Sequence, residues 1–332
     1  MPVRPWRTAR RPGRRTCVMA WSPIAAAAGL TMPKTSSRAI TSPAGTADVM
    51  EMLAPVDLDV NKMQRVVEAE GGCVVWGGGM NLSPADDILI RVERPLDFDS
   101  NDQLVASVLS KKIAAGSTHV VIDIPVGPTA KVRTAAAAKA LASQLQVVGG
   151  ETGLVVRTIE TDGLQPVGRG MGPALEARDV LAVLRRDQDA PRDLRDRALA
   201  LAAIVLELAG RHPHGAAIEA IDLLESGAAW KKFHAICEAQ GGMREPPRAK
   251  HRWDLKAPTS GTVHQIENRK LARVAKLAGA PRAVAAGLDL HVRIGSKVHK
   301  GDPLLTLHAE APGELAYASN YATQTREIFE IH

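Results

Sequence analysis

Hydrophobic positions along this chain follow two spacings, one typical of helices and one typical of buried strands. Apolar residues recur near helical spacing in 60–70 and 104–115, and a glycine ends each segment. Residues 120–125 and 153–159 are instead rich in the apolar, β-branched side chains found in parallel sheets. Because strands and helices alternate along the chain, the pattern predicts an α/β fold with an open sheet.

Helical spacing continues in three segments between residues 176 and 229, and then the composition changes. Residues 241–250 combine Gly-Gly, Pro-Pro and charged residues, which is typical of a linker. Beyond the linker, 257–263 and 295–304 have the short strands and glycine-rich turns of a β-rich unit. We therefore expect a small β-rich domain to begin near Arg248.

The formal net charge of +6 is concentrated at the beginning of the chain. Six arginines and no acid lie within residues 1–15, so the rest of the chain is neutral. The sequence carries no RNA-binding signature and no regular basic helix, which argues against nucleic acid as a partner. We interpret residues 1–24 as an irregular basic arm.

An apolar stretch, residues 17–30, follows the arginines. Pro23 interrupts it, and it is shorter than the roughly 18 apolar residues that a membrane span needs. The three cysteines, Cys17, Cys73 and Cys237, are far apart and odd in number, so they support neither a disulfide framework nor a CxxC metal site. We expect a soluble cytoplasmic protein with no membrane partner and no metal.

The segment Thr35–Thr46 has the strongest local chemistry. Six hydroxyl side chains and Arg38 surround a Pro-Ala-Gly turn that precedes a predicted helix. Hydroxyls, backbone N–H groups and a helix N-terminus in such a loop suit an anion. A hydroxyl-rich helix cap is the alternative reading of the same composition.

The string of fifteen residues from Lys34 to Asp48, KTSSRAITSPAGTAD, makes a family resemblance specific. It resembles the signature segment of the thymidine phosphorylases, in the branch shared with archaeal AMP (nucleoside-monophosphate) phosphorylases. Further matches follow in family order at 82–87, 90–96, 106–112 and 121–127. The resemblance extends from about residue 25 to about residue 318.

That resemblance implies a fold of two parts. An α/β nucleoside-phosphorylase catalytic domain would cover residues 25–240, and a small β-rich, barrel-sandwich-like C-terminal domain would cover residues 248–332. Members of the family begin with a helical domain and a Lys-His-(Ser or Cys)-x-Gly-Gly phosphate loop, which this sequence lacks. We therefore expect the chain to be N-terminally truncated relative to the family. The family enzymes are homodimers in which the helical domain supplies much of the contact.

The resemblance also assigns site residues. Those that would line the phosphate and sugar part of the pocket are Ser37, Arg38, Ala39, Ile40, Thr41, Ser42 and Thr46. Ser107 and Lys131 match nucleotide-binding positions of the monophosphate enzymes, and Ser107 with Lys111 matches the pair that holds the pyrimidine in the thymidine enzymes. Asp99 falls where the monophosphate-specific relatives place their proton donor.

The implied chemistry explains why those residue types are needed. Phosphate attacks the anomeric carbon while the glycosidic bond breaks through an oxocarbenium-like state, as in glycoside hydrolysis. Asp99 could protonate the departing base, or Lys111 or Arg94 could stabilise it as an anion. A solvated loop acid is the alternative for Asp99, and the cationic end of a helix is the alternative for Lys111.

The resemblance therefore implies thymidine phosphorylase activity in pyrimidine nucleoside salvage. This pentosyl transfer converts thymidine and phosphate to thymine and 2-deoxyribose 1-phosphate, and it needs no cofactor besides phosphate as co-substrate. The ligands would be a nucleoside or nucleotide and phosphate. A nucleoside monophosphate such as AMP is the alternative substrate, because both activities share the signature segment. A catalytically inactive remnant is the alternative to an enzyme, because the first phosphate loop is missing.

Overall fold

The described residues in the first half of the chain form two pairs of parallel strands flanked by helices. A computed structural model describes residues 15–39, 42–80, 101–130 and 132–332. The elements in this half are α1 (Arg15–Ala27), β1 (Met32–Ser36), α2 (Thr46–Glu51), α3 (Val60–Glu70), β2 (Gly72–Trp76), α4 (Asn101–Ala114), β3 (His119–Val126), α5 (Ala135–Glu151) and β4 (Val155–Asp162). β1 pairs with β2, and β3 pairs with β4, in both cases in parallel. The parallel pairing agrees with the predicted α/β class.

Four further helices follow and complete the larger hydrophobic core. They are α6 (Pro173–Arg185), α7 (Arg192–Leu208), α8 (Pro213–Glu225) and α9 (Ala228–Gln240). Their apolar faces pack with α1 and α2 in one cluster of buried residues. A second cluster joins α4 and α5 to β3 through Leu109, Ile122 and Leu145.

The prediction of an irregular arm through residue 24 is wrong for residues 15–24. These residues belong to α1, whose Met19, Trp21 and Ile24 are fully buried against the helical core. Pro23 lies inside this helix, where proline costs about 3 kcal/mol. Burial of a large apolar side chain contributes roughly 1.5–3 kcal/mol, so three such side chains outweigh the proline. Residues 1–14 of the predicted arm lie outside the described residues.

The C-terminal part forms a β-rich unit with its own core. Its elements are β6 (His251–Lys256), β7 (Gly261–Ile266), α10 (Asn268–Leu277), β8 (Gly287–Leu290), β9 (Lys297–Val298), β10 (Pro303–Ala309), α11 (Pro312–Gln324) and β11 (Phe329–Ile331). β11, β7 and β9 form one antiparallel sheet. β8, β10 and β6 belong to a second antiparallel sheet, which a short strand from the preceding part, β5 (Gly170–Met171), completes.

Close backbone contacts attach the β-rich unit to the rest of the protein beside β5. Gly172 and Gly287 both have left-handed φ, 142° and 145°. A Cβ on Gly172 would lie 2.3 Å from the Ala286 carbonyl oxygen, and one on Gly287 would lie 2.0 Å from that of Met171. Only glycine fits such an approach. The Arg293 guanidinium adds two hydrogen bonds of 2.6 Å to backbone carbonyl oxygens of the 166–168 segment.

Across the described ranges, no helix is both long enough and apolar enough to cross a membrane.

Candidate active site

The hydroxyl-rich segment forms the connection between β1 and α2. β1 ends at Ser36, which lies opposite Trp76 in the parallel pair, and α2 begins at Thr46. The carboxyl ends of parallel strands are where α/β proteins bind their ligands. We call residues 37–46 the β1–α2 loop. Within it, Ile40 and Thr41 lie outside the described residues.

The carboxylate of Asp48 holds this loop in shape. Its Oδ2 accepts hydrogen bonds from the backbone N–H of Ala39 at 2.6 Å and from the backbone N–H of Gly45 at 2.7 Å. Its Oδ1 lies 3.4 Å from the Arg38 guanidinium. One buried carboxylate on α2 therefore connects both ends of the loop.

Gly45 is required where the two ends of the loop meet. A Cβ at this position would lie 2.6 Å from the Ala39 nitrogen, the Arg38 carbonyl carbon and the Ser37 carbonyl oxygen. All three are backbone atoms, so rotation of a side chain could not relieve the contact. The glycine lets the backbone after β1 lie directly against the start of α2.

Arg38 is engaged by carboxylates rather than left open to a ligand. Its Nη2 donates to Glu51 at 2.9 Å, its Nη1 donates to the other oxygen of Glu51, and the guanidinium lies 5.1 Å from the ring centroid of Trp76. The hydrogen bonds from Arg38 lower the pKa of Glu51, and Glu51 in turn raises the pKa of Arg38. This planar, bidentate pair stabilises the loop, and it already occupies two of the nitrogen atoms that phosphate binding would use.

The described hydroxyls of the loop differ in their exposure. Ser42 is buried and donates to the Ala44 carbonyl oxygen at 2.7 Å, so its hydroxyl stabilises the Pro-Ala-Gly turn. Thr46 is fully buried, while Ser37 and Ala39 are half-buried. Of the described hydroxyls that the sequence assigned to the pocket, Ser37 is the one that reaches solvent.

Lys34, immediately before the loop, is a feature that our sequence reading did not single out. Its side chain is fully buried on β1, and its Nζ donates to the Thr35 carbonyl oxygen. Burial of a lysine charge is expensive, so such residues often serve a function. The available signal was a lysine at a position of β1 that alternates with Met32 on the buried face.

Ser107 and Lys111 lie on α4, one helical turn apart and both half-buried. The described packing of α4 is on α5 and β3, through Val105 and Leu109. The structure thus places the pair on one face of a helix but does not by itself bring that face to the β1–α2 loop. The other predicted base-side and nucleotide-side residues, Arg94, Asp99 and Lys131, lie outside the described residues.

A buried polar contact between β3 and β4 was also not singled out from the sequence. Asp123 is buried on β3, accepts a hydrogen bond from the Thr161 hydroxyl, and lies 4.0 Å from the Arg197 guanidinium on α7. An acid inside an otherwise apolar strand was the available signal. The described parts of the chain contain no group of three or more metal-ligating side chains.

Curated relatives are similar to nearly all of this chain. A protein of Acidovorax sp. (strain JS42), provisionally named thymidine phosphorylase 2, is 63% identical over 96% of the chain and 62% of its own length. A provisionally named thymidine phosphorylase of Polaromonas sp. (strain JS666) is 64% identical over 96% of the chain and 63% of its own length. The chain therefore spans less than two thirds of the length of these relatives.

Family models match both parts of the chain. Residues 16–230 match the model described as the a/b domain of the glycosyl transferase family, and residues 262–329 match the pyrimidine nucleoside phosphorylase C-terminal domain. The chain belongs to the thymidine phosphorylase family of glycosyl transferases. The family resemblance inferred from the segment 34–48 is confirmed.

Solved structures confirm the fold class of this thymidine phosphorylase family member. The chain is similar to anthranilate phosphoribosyltransferase from Thermus thermophilus, with a TM-score of 0.55 and 18% identity over 72% of this chain and 80% of that chain. The anthranilate phosphoribosyltransferase from Saccharomyces cerevisiae, solved in complex with PRPP and Mg, gives a TM-score of 0.50 at 15% identity over 72% of this chain and 74% of that chain. At these identities the likeness concerns the fold alone.

Proposed function

We propose that this chain carries out the phosphorolysis of thymidine. Inorganic phosphate attacks the anomeric carbon, and the glycosidic bond breaks with its electron pair leaving on the base. The products are 2-deoxyribose 1-phosphate and thymine. The observation that carries this proposal is the β1–α2 loop, fixed by Asp48 at the carboxyl end of β1, in a chain that is 60–64% identical to provisionally named thymidine phosphorylases.

The loop suits the phosphate and sugar side of this reaction. Phosphorolysis gains most of its rate when phosphate is held in line with the anomeric carbon, which demands a rigid cradle. Asp48 and Gly45 provide that rigidity through backbone contacts. Ser37 contributes a solvent-accessible hydroxyl. The buried ammonium of Lys34, on β1 just before the loop, provides a positive charge that attracts an anion.

The departing base requires protonation or electrostatic stabilisation. We assign this step to Asp99 as an acid, with Lys111 and Arg94 as the alternatives that would stabilise an anionic pyrimidine. Ser107, one turn from Lys111 on α4, would hydrogen-bond the base. Lys131, Ser37 and Thr41 would bind the sugar and phosphate.

The proposed reaction needs phosphate as co-substrate and no cofactor. It would serve pyrimidine nucleoside salvage in the cytoplasm. A nucleoside monophosphate such as AMP is the second candidate substrate, because residues 34–48 resemble both branches of the family. Nucleoside binding without turnover is the second candidate function, because Arg38 is paired with Glu51 and so is not open to phosphate.

Two parallel reactions test the proposal. Purified chain is incubated with phosphate and either thymidine or AMP, and the released thymine or adenine is quantified by chromatography. We expect thymine release that requires phosphate. Adenine release alone would assign the monophosphate activity, and binding of thymidine without release would assign the non-catalytic function.

The acid is tested in the same assay with Asp99→Asn. Asp97→Asn is the matched control, because it removes a carboxylate two positions away in the same segment. We expect kcat to fall by a factor of about 100 or more in Asp99→Asn and to stay near the starting value in Asp97→Asn. Equal activities of the two variants would exclude Asp99 as the proton donor.

A further inference from the structure

A recess unrelated to the β1–α2 loop lies between α6 and the segment that follows α9. Its volume is about 390 Å³, within the range of roughly 300–1,000 Å³ typical of small-molecule sites. Four arginines, Arg169, Arg178, Arg185 and Arg248, line it and define what we call the arginine pocket. Leu181, Ala182 and Pro246 supply an apolar part of the wall.

Two of the four arginines are neutralised by carboxylates. Arg169 lies 3.5 Å from Asp179 and 3.3 Å from Asp189. Arg185 lies 2.7 Å from Glu245, and its guanidinium stacks over the ring of Trp230 with 4.8 Å to the centroid. These pairs fix one side of the pocket and leave little charge there for a ligand.

The other two arginines form no ion pair with any residue in the part of the chain that the structure describes. Arg178 is half-buried, and its guanidinium donates to the Pro247 carbonyl oxygen. Arg248, the next residue along the chain, is exposed at the rim of the pocket. Asp187 is the one lining acid without an ion pair in that same part of the chain, so the pocket holds two guanidinium groups and one carboxylate that are not in ion pairs.

Arg178 is held in surroundings that disfavour its charge. Burial lowers its pKa most, and the positive charges of Arg248 and Arg252 lower it further. Asp289 and Asp179 oppose this effect without forming an ion pair with Arg178. Cations kept close together in this way repel one another unless an anion lies between them.

We propose that the arginine pocket binds the phosphate monoester of a small organic molecule. Arg178 and Arg248 hold the phosphate through charge-assisted hydrogen bonds, for which the planar guanidinium fork is well suited. Leu181, Ala182 and Pro246 contact the organic part. None of these residues belongs to the β1–α2 loop, so the site is independent of the proposed phosphorolysis.

Isothermal titration at constant ionic strength tests the site directly. The probes are ribose 5-phosphate, ribose and inorganic phosphate, and the protein is the whole chain. We expect ribose 5-phosphate to bind more tightly than inorganic phosphate, and ribose to give no signal. Binding of inorganic phosphate alone, or of ribose as tightly as its phosphate, would overturn the assignment.

Matched variants locate the binding. Arg178→Gln combined with Arg248→Gln should weaken binding of ribose 5-phosphate at least about tenfold, because two charge-assisted contacts are lost. Arg269→Gln combined with Arg282→Gln is the control, since it removes two exposed arginines elsewhere on the β-rich unit. If both double variants bind equally well, the pocket is not the site.

Two further variants test whether a loss of binding could result from misfolding, and whether the ligand binds at the candidate active site instead. Arg248→Glu changes a single exposed residue and should abolish binding while circular dichroism and Tm stay unchanged. Thr46→Ala alters the β1–α2 loop and should leave the affinity for ribose 5-phosphate intact. Loss of binding in Thr46→Ala, with retention in Arg248→Glu, would move the ligand to the loop and contradict the proposal.

Discussion

The Oδ2 atom of Asp48 lies 2.6 Å from the backbone nitrogen of Ala39, nine residues earlier in the chain. The same oxygen accepts from the backbone N–H of Gly45 at 2.7 Å. Through this one atom, the first turn of α2 fixes the backbone that follows β1. The shape of the candidate active site therefore depends on a carboxylate that need not touch a substrate.

Asp48→Ala should destabilise the protein and lower its activity. Hydrogen bonds to a charged group contribute about 1.5–3 kcal/mol each, so loss of both should cost on the order of 3 kcal/mol in the free energy of unfolding. Denaturant unfolding and thymine release measure the two effects. Asp57→Ala, at an exposed aspartate shortly after α2, is the control and should have neither effect. Wild-type stability in Asp48→Ala would show that the loop does not depend on this carboxylate.

Gly45→Ala should disrupt the loop more severely than its small size suggests. The added methyl group would lie 2.6 Å from three backbone atoms, which must move apart. We expect loss of thymine release together with a lower Tm. Gly150→Ala is the matched control, because a Cβ there meets no atom within 4 Å. Since alanine favours a helix over glycine by up to about 1 kcal/mol, that control should be neutral or stabilising. Comparable losses in the two variants would contradict the steric explanation.

Lys34→Met should weaken the binding of phosphate without destabilising the fold. Methionine is an apolar side chain that can fill the buried site without a charge, so the fold should be retained or become more stable. Loss of the ammonium next to the loop should raise the KM for phosphate more than the KM for thymidine. Steady-state kinetics with each substrate varied in turn measures both constants. Lys139→Met, at an exposed position of α5, should change neither. An unchanged KM for phosphate in Lys34→Met would show that Lys34 does not contribute to phosphate binding.

Asp179 should make the stability of the protein depend on pH. Burial raises the pKa of this carboxyl from 3.8 to about 6, against the hydrogen bonds that it accepts from the backbone of Gly170 and Arg169. Because the folded state then holds a proton that the unfolded state has lost, this group should reduce stability as the pH rises from about 4 to about 6. The cost should be fully present above about pH 6 and absent below about pH 4.

Asp179→Asn tests that dependence, because asparagine keeps the size of the side chain and cannot ionise. Denaturant unfolding is measured for both proteins between about pH 4 and about pH 7. We expect the wild type to lose stability relative to the variant as the pH rises across this range. A stability difference that is independent of pH, or that changes in the opposite direction, would contradict the assigned pKa.

Much of the fold followed from local patterns in the sequence. The run 120–125 lies within β3, and α3 begins and ends at the predicted residues 60 and 70. Asp59 caps the start of α3 through its side chain, and Gly71 ends it with a left-handed φ of 72°. Such elements were predictable because their signals lie within one helical turn of their ends.

Other elements depend on contacts that no local pattern contains. The apolar, proline-containing stretch 15–27 is helical because the other helices bury it. β5 is a strand because β8, far along the chain, pairs with it. The last of the three segments of helical spacing predicted between residues 176 and 229 is instead divided at Gly227, where φ is 80°, into α8 and α9. A periodic pattern alone could not show this break.

The sequence indicated which residue types make up the candidate active site, but not which of these residues contact each other. Hydroxyls before a helix marked residues 35–46 as an anion-binding loop, and the resemblance named its residues. Pairing of Arg38 with Glu51, thirteen positions away, required the three-dimensional path of the loop. The same holds for Asp48, whose partners lie at residues 39 and 45.

Detection of 2-deoxyribose 1-phosphate tests the central claim most directly. Purified chain is incubated with thymidine and inorganic phosphate, and the sugar phosphate is followed by phosphorus NMR while thymine is followed by chromatography. The account predicts that both products appear in equal amounts and that neither appears without phosphate. Thymine accompanied by free deoxyribose, or no product from a folded sample, would contradict phosphorolysis at the β1–α2 loop.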